Sequence, residues 1–209
     1  MSLNWPETRR TASRVKLSGK GSPRAPRFEP FEAPLRRSKA ADDSAILYGA
    51  IVAQARLPAF YRVFAVPDTL EGRFALLGLH LFAALHRLRA GGAEARDLAQ
   101  SLMDRFTSDM ETVLREQGVS DLKIPKTMRR LAGANLARLH AYEEALGKGR
   151  EALTAEVAAA LPMTDDESRI VAVRLAAYVE AMVTGMEAVS LASLREGEVA
   201  FPDPGASLA

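Results

Sequence analysis

Arg73, His80 and Arg87 recur every seven residues, and Asp97, Asp104 and Glu111 recur at the same interval further along the chain. An arginine, an imidazole and a carboxylate held together are the parts of an acid–base site, with the guanidinium as electrophile and the other two moving the proton. About the intervening Gly91-Gly92 the two series match in antiparallel register, as a charge ladder would. At 100° per residue, however, Asp97, Asp104 and Glu111 lie opposite Leu98, Leu102, Phe106 and Val113, the face that must pack, so these acids are expected in solvent. The same wheel puts Asp109 between Phe106 and Val113. A buried carboxylate needs a cation or donors, and Arg73 is nearly in register with it. Arg73 and Asp109 are therefore expected to form a buried structural ion pair, with His80 as an associated polar residue. The catalytic alternative is a small helical enzyme using the Arg73/His80/Asp109 cluster.

Other chemistry has less to build on. His80 and His86 are six residues apart and point to different faces; His140 and Glu143 share a face but have no further ligands nearby in sequence. There is no H-E-x-x-H and no pair of E-x-x-H segments, and His80 on a mostly apolar helix reads as a hydrogen-bonded core histidine. The chain has no cysteine, which excludes disulfides, thiol nucleophiles and thiolate metal sites and favours a reducing compartment. No Gly-rich phosphate loop or G-x-S-x-G elbow occurs, and Gly91-Gly92 reads as a helix stop. No catalytic residue, metal, cofactor or small-molecule substrate is expected.

The elements that must position these residues all read as helices. Asp42, Asp43 and Ser44 offer N-caps for the run ILYGAIVAQARL. Pro58 restarts the chain for a short helix PAFYRVFA, ended near Pro67. Asp68 and Glu71 have capping-box spacing before a long run that stops at Gly91-Gly92. On that helix Leu70, Phe74, Leu77, Leu81, Leu85 and Leu88 form one face, and Leu76, Leu79 and Phe82 extend apolar character around it, as for a central helix. A fourth helix ends at Gly118 and a fifth runs from Pro125 to about Gly147. An Ala-rich helix follows, and Thr164 with Glu167 opens a last run through Val189, with a break expected at Thr184-Gly185. No window alternates strictly enough for a strand. The expected fold is all-α, a single-domain irregular bundle of about seven helices.

Residues 1–41 differ from the rest. Of 28 Lys/Arg, ten lie in residues 1–40, against three Asp/Glu; the remainder of the chain is net acidic. Pro23, Pro26, Pro30 and Pro34 interrupt helix, and no apolar period is sustained. This segment is expected to be a disordered basic arm ahead of a helical domain from residue 42. Its charge suits ribosomal RNA or an anionic membrane surface, which makes an RNA- or ribosome-binding protein a further alternative. No apolar run approaches the roughly 18–20 residues that span a bilayer. The expected location is the cytoplasm, or the face of the inner membrane.

The stretch ARLPAFYRVFAVPDTLEGRF, residues 55–74, gathers four aromatic rings in a chain that is 6% aromatic overall. A two-turn helix carrying Phe60, Tyr61 and Phe64 is too short to stand alone and must dock. Its rings either close one end of the bundle or leave a groove for an apolar guest. Taken with Ile51–Arg56, Val66-Pro67-Asp68-Thr69, Gly72-Arg73-Phe74, Leu79-His80-Leu81, Asp109-Met110, Leu114-Arg115-Glu116, Gly118-Val119, Pro125-Lys126 and Ala141-Tyr142-Glu143, this stretch resembles the ubiquinol–cytochrome c chaperone family over roughly residues 44–146. Where relatives often place a bulky aromatic pair before Gly-Arg, this chain has Asn135-Leu136-Ala137-Arg138. The resemblance implies a non-enzymatic assembly factor that helps newly made cytochrome b into the respiratory cytochrome bc complex, together with a second assembly factor near the ribosomal exit. On that reading Phe60, Tyr61, Phe64, Val66, Pro67 and Asp68 are the expected partner-binding residues.

Overall fold

Eight α-helices and no strand make up the described residues, 39–205, of the protein in a computed structural model. The helices are α1 (Lys39–Ala55), α2 (Pro58–Arg62), α3 (Leu70–Arg89), α4 (Ala93–Glu116), α5 (Ile124–Lys148), α6 (Arg150–Ala160), α7 (Asp165–Glu187) and α8 (Leu191–Arg195). The all-α expectation holds. The expectation of a disordered arm falls on residues that, apart from 39–41, lie outside the described ones. Helix α1 starts earlier than Asp42, so the boundary expected there falls within a helix: Asp42 lies in its first turn, and the Ser44 hydroxyl donates back to the Ala41 carbonyl at 2.9 Å instead of capping. Negative charge in a first turn complements the helix dipole without acting as the cap itself.

The other boundaries follow local chemistry, with two changes. Thr69, not Asp68, caps α3: its backbone is extended and its hydroxyl accepts from the Gly72 amide at 3.2 Å. That leaves Asp68 free to take a bond from Arg73. The expected break at Thr184-Gly185 is absent, and α7 runs through both residues. Gly185 is needed for close approach, because a Cβ there would meet the Ala200 carbonyl of the returning C-terminal segment. Gly72 serves likewise, lying against the Pro67 carbonyl where the turn before α3 folds back.

Helix α3 separates and joins two apolar clusters. Leu76, Leu79, Phe82 and Ala83 pack with α2, α5, α6 and α7; Leu81, Ala84 and Leu88 pack with α1, α4 and α8. Burial on both sides is what a helix apolar around most of its circumference requires. The face that looked primary is the less buried one at its start: Leu70 is 39% exposed and Phe74 is half-buried, while Leu76 and Leu79 are sealed. Among the described residues no helix is long and apolar enough to cross a membrane.

Candidate functional site

The aromatic stretch is committed to the core. Phe60 and Phe64 are fully buried and Val66 is 2% exposed, which corrects the expectation that these three meet a partner. Pro58 starts α2, and the five-residue helix and the turn after it place the Phe60 and Phe64 rings inward against Tyr178 of α7, with centroids 5.2 and 5.9 Å away. Burying such rings is worth more than a groove left open to water, so an element this short closes over the bundle. Tyr61 and Pro67 are half-buried and Asp68 is exposed, so these three of the expected partner residues remain at the surface.

His80 is fully buried at the centre of this cluster, the core histidine expected. Its Nδ1 donates to the Leu76 carbonyl at 2.8 Å, which leaves Nε2 as the acceptor, 3.3 Å from the Tyr178 hydroxyl. Gln54 donates to the same hydroxyl at 3.0 Å and to the Pro202 carbonyl at 3.1 Å; that carbonyl also lies 3.1 Å from the Tyr178 hydroxyl. One polar knot thus ties α1, α3, α7 and the C-terminal segment, and Phe201 covers the imidazole edge-on. Burial pushes the His80 pKa down to about 4, only partly opposed by the bond to Leu76, and burial pushes the Tyr178 phenol up to about 12. Gln54 lies in the Ile51–Arg56 motif, but nothing there marks its role, and Tyr178 and Phe201 lie in no motif that the sequence offers.

Arg73 and Asp109 do not pair. Arg73 is exposed and donates through Nε to Asp68 at 2.7 Å, a bond that holds the Asp68 carboxyl below its ordinary range. Asp109 is half-buried and accepts from the Tyr48 hydroxyl of α1 at 2.8 Å. Burial first, and then this carboxylate, hold the Tyr48 phenol well above its usual pKa. The reason for the correction is packing: α4 lies chiefly along α1, so the residue facing Asp109 comes from there and not from α3. His80 is sealed from both, so the Arg73/His80/Asp109 cluster imagined for an enzyme does not assemble. Asp97 and Asp104 are exposed as expected, and Glu111 binds Arg115 one turn on.

This arrangement makes a stability prediction. Tyr48→Phe and Asp109→Asn should each cost about 1–2 kcal/mol in urea denaturation, and a double-mutant cycle should show them coupled. Arg73→Ala should leave stability almost unchanged and be additive with Asp109→Asn, since an exposed ion pair contributes little.

An unfilled apolar surface lies elsewhere. The exposed start of α3 (Leu70, Phe74), the second half of α4 (Phe106, Met110, Val113), Leu131 of α5 and Leu161 after α6 line an open groove of about 390 Å³. That size is within the usual range of binding clefts, about 300–1,000 Å³. The departure at residues 135–138 falls on its wall: Asn135 and Arg138 line it, and the Asn135 amide nitrogen is buried without a hydrogen-bond partner. Such a donor is costly until an acceptor arrives. With Glu71, Gln117 and Arg138 also in its lining, the groove presents a mostly apolar wall with a few polar anchors.

Residues 62–201 match the ubiquinol-cytochrome C chaperone family. The match starts later than the resemblance read from residue 44 and extends past residue 146 through the last helices. The fold is similar to the crystal structure of the Cbp3 homolog from Brucella abortus, with a TM-score of 0.73, 36% sequence identity, and coverage of 82% of this chain and 95% of that one. No functionally curated protein is detectably similar. By the extent of the family match and the likeness in both sequence and fold, the chain belongs to the ubiquinol-cytochrome C chaperone family.

Proposed function

We propose that the protein is a non-enzymatic chaperone that receives newly made cytochrome b and holds one of its apolar helical segments in the groove between α3, α4, α5 and α6 until the segment enters the bc complex. The observation that carries this reading is the groove itself, in a chain of an assembly-chaperone family. An apolar helix laid in a groove offers side chains at i, i+3, i+4 and i+7 to Phe74, Met110 and Leu131. The client's own backbone or polar side chains can supply the acceptor that Asn135 lacks.

Filling the groove tests it. Ala134 is exposed on the groove wall, so Ala134→Trp adds bulk without emptying the core; Leu131→Glu puts a charge where the apolar guest would lie. Both variants should melt within a few degrees of the wild type, and in cells of the native organism both should lower cytochrome b and assembled bc complex several-fold. Normal complex levels with the groove blocked would remove the client from this surface. Normal levels in a strain lacking the whole protein would remove the assembly role.

A further inference from the structure

A second surface lies around α2. Arg56, Pro58, Tyr61, Arg62, Asp68 and Arg73 line a cleft of about 440 Å³. Asp68 neutralises Arg73, but no carboxylate among the described residues lies within ion-pair distance of Arg56 or Arg62. Exposed aliphatic side chains lie just after α2 and on α7. Val63, directly after α2, is 41% exposed, and Ile170 and Val173 of α7 are 64% and 50% exposed. Between these two parts, Arg174 reaches across from α7 and donates to the Val63 carbonyl at 3.2 Å. Ile170, Val173 and Arg174 follow the i, i+3, i+4 spacing of one helix face, so α7 and the turn after α2 form a continuous patch. Asp166 and Glu167 mark its edge, one turn toward the start of α7, where Glu167 accepts from Thr164 at 2.8 Å.

We propose that this patch is a docking surface for an anionic phospholipid membrane. Two guanidinium groups without a carboxylate, beside a half-buried tyrosine, suit headgroup phosphates, which arginine binds through its planar fork of donors. β-Branched residues at the rim are short enough to enter the interfacial layer without exposing a deep core. Arginine stems and a tyrosine ring match the depth at which charge gives way to hydrocarbon. A protein that only needed solubility would not cluster bare isoleucine and valine beside unpaired arginines. The surface is distinct from the client groove, so a chain seated on the membrane through α2 keeps the groove free.

The test is sedimentation of the full-length protein with vesicles of phosphatidylglycerol and phosphatidylcholine, and with phosphatidylcholine alone. The expected result is binding to the anionic vesicles only, weakened by salt. Arg56→Gln/Arg62→Gln should lower the partition coefficient about 30-fold, since each basic residue at an anionic surface contributes about 1 kcal/mol. Arg129→Gln/Arg130→Gln removes the same charge from exposed positions on α5 and should have a much smaller effect. Val63→Ser/Ile170→Ser leaves the charge unchanged and should still lower binding several-fold. Three results would each overturn the proposal: no binding to anionic vesicles; equal losses in the two arginine pairs, which would mean undirected charge; or wild-type binding by both patch variants, which would assign the membrane contact to the basic residues 1–40.

Discussion

Phe60→Ala should lower the free energy of unfolding by about 3–5 kcal/mol, the usual cost of emptying a fully buried phenylalanine site. Phe60 is completely enclosed and its ring packs on Phe64, His80 and Tyr178 with centroids 5.2–5.5 Å away. Helix α2 is too short to persist without that contact, so the loss should release the segment as well as leave a cavity. Urea denaturation gives the magnitude, and amide exchange at residues 58–66 should show the release. Tyr61→Ala, one residue along on the half-buried side, should cost about 1 kcal/mol or less. A small loss at Phe60 would mean that α2 is only loosely docked, and would return the aromatic stretch to consideration as a partner site.

Acidification should cost about 3 kcal/mol through His80 alone. Its folded pKa is depressed to about 4 from an ordinary value of 6.5, because charging it would place an ion in a sealed apolar cluster. The unfolded chain therefore binds the proton more readily than the folded one. The stabilisation is complete above pH 6.5 and is lost progressively as pH falls from 6.5 through about 4. Protonation would also turn Nε2 into a donor toward the Tyr178 hydroxyl, which already accepts from Gln54. Carboxylates titrate in the same range, so the measurement is the difference between the wild type and His80→Phe in urea denaturation from pH 7 to 4. The wild type should lose more stability than the variant by that amount; parallel curves would show that His80 is hydrated or charged in the folded protein.

Much of the site was legible where its signal is local. His80 read as a core histidine because its helix is apolar on nearly every side, and Asp97 and Asp104 read as solvated because they lie opposite an unbroken apolar face. Asp109 was correctly placed on a packed face, but its partner was not legible. Arg73 matched it in register about Gly91-Gly92, yet register matters only if α4 lies along α3, and α4 lies chiefly along α1. The hydrogen bond to Tyr48 spans sixty-one residues of sequence, and no periodicity connects its two ends.

By itself the sequence determined the all-α class, the place of seven of the eight helices among the described residues and the family, because caps, prolines and apolar spacing act within one or two turns and are written directly in neighbouring residues. The tertiary structure alone decided that Phe60, Phe64 and Val66 close the core, that Leu70 and Phe74 instead open onto a groove, and that Arg174 of α7 reaches the Val63 carbonyl after α2. These outcomes depend on how far each helix is rotated about its axis and which neighbour it crosses. A turn of a few residues leaves both free, and only the simultaneous packing of side chains from distant helices selects one answer.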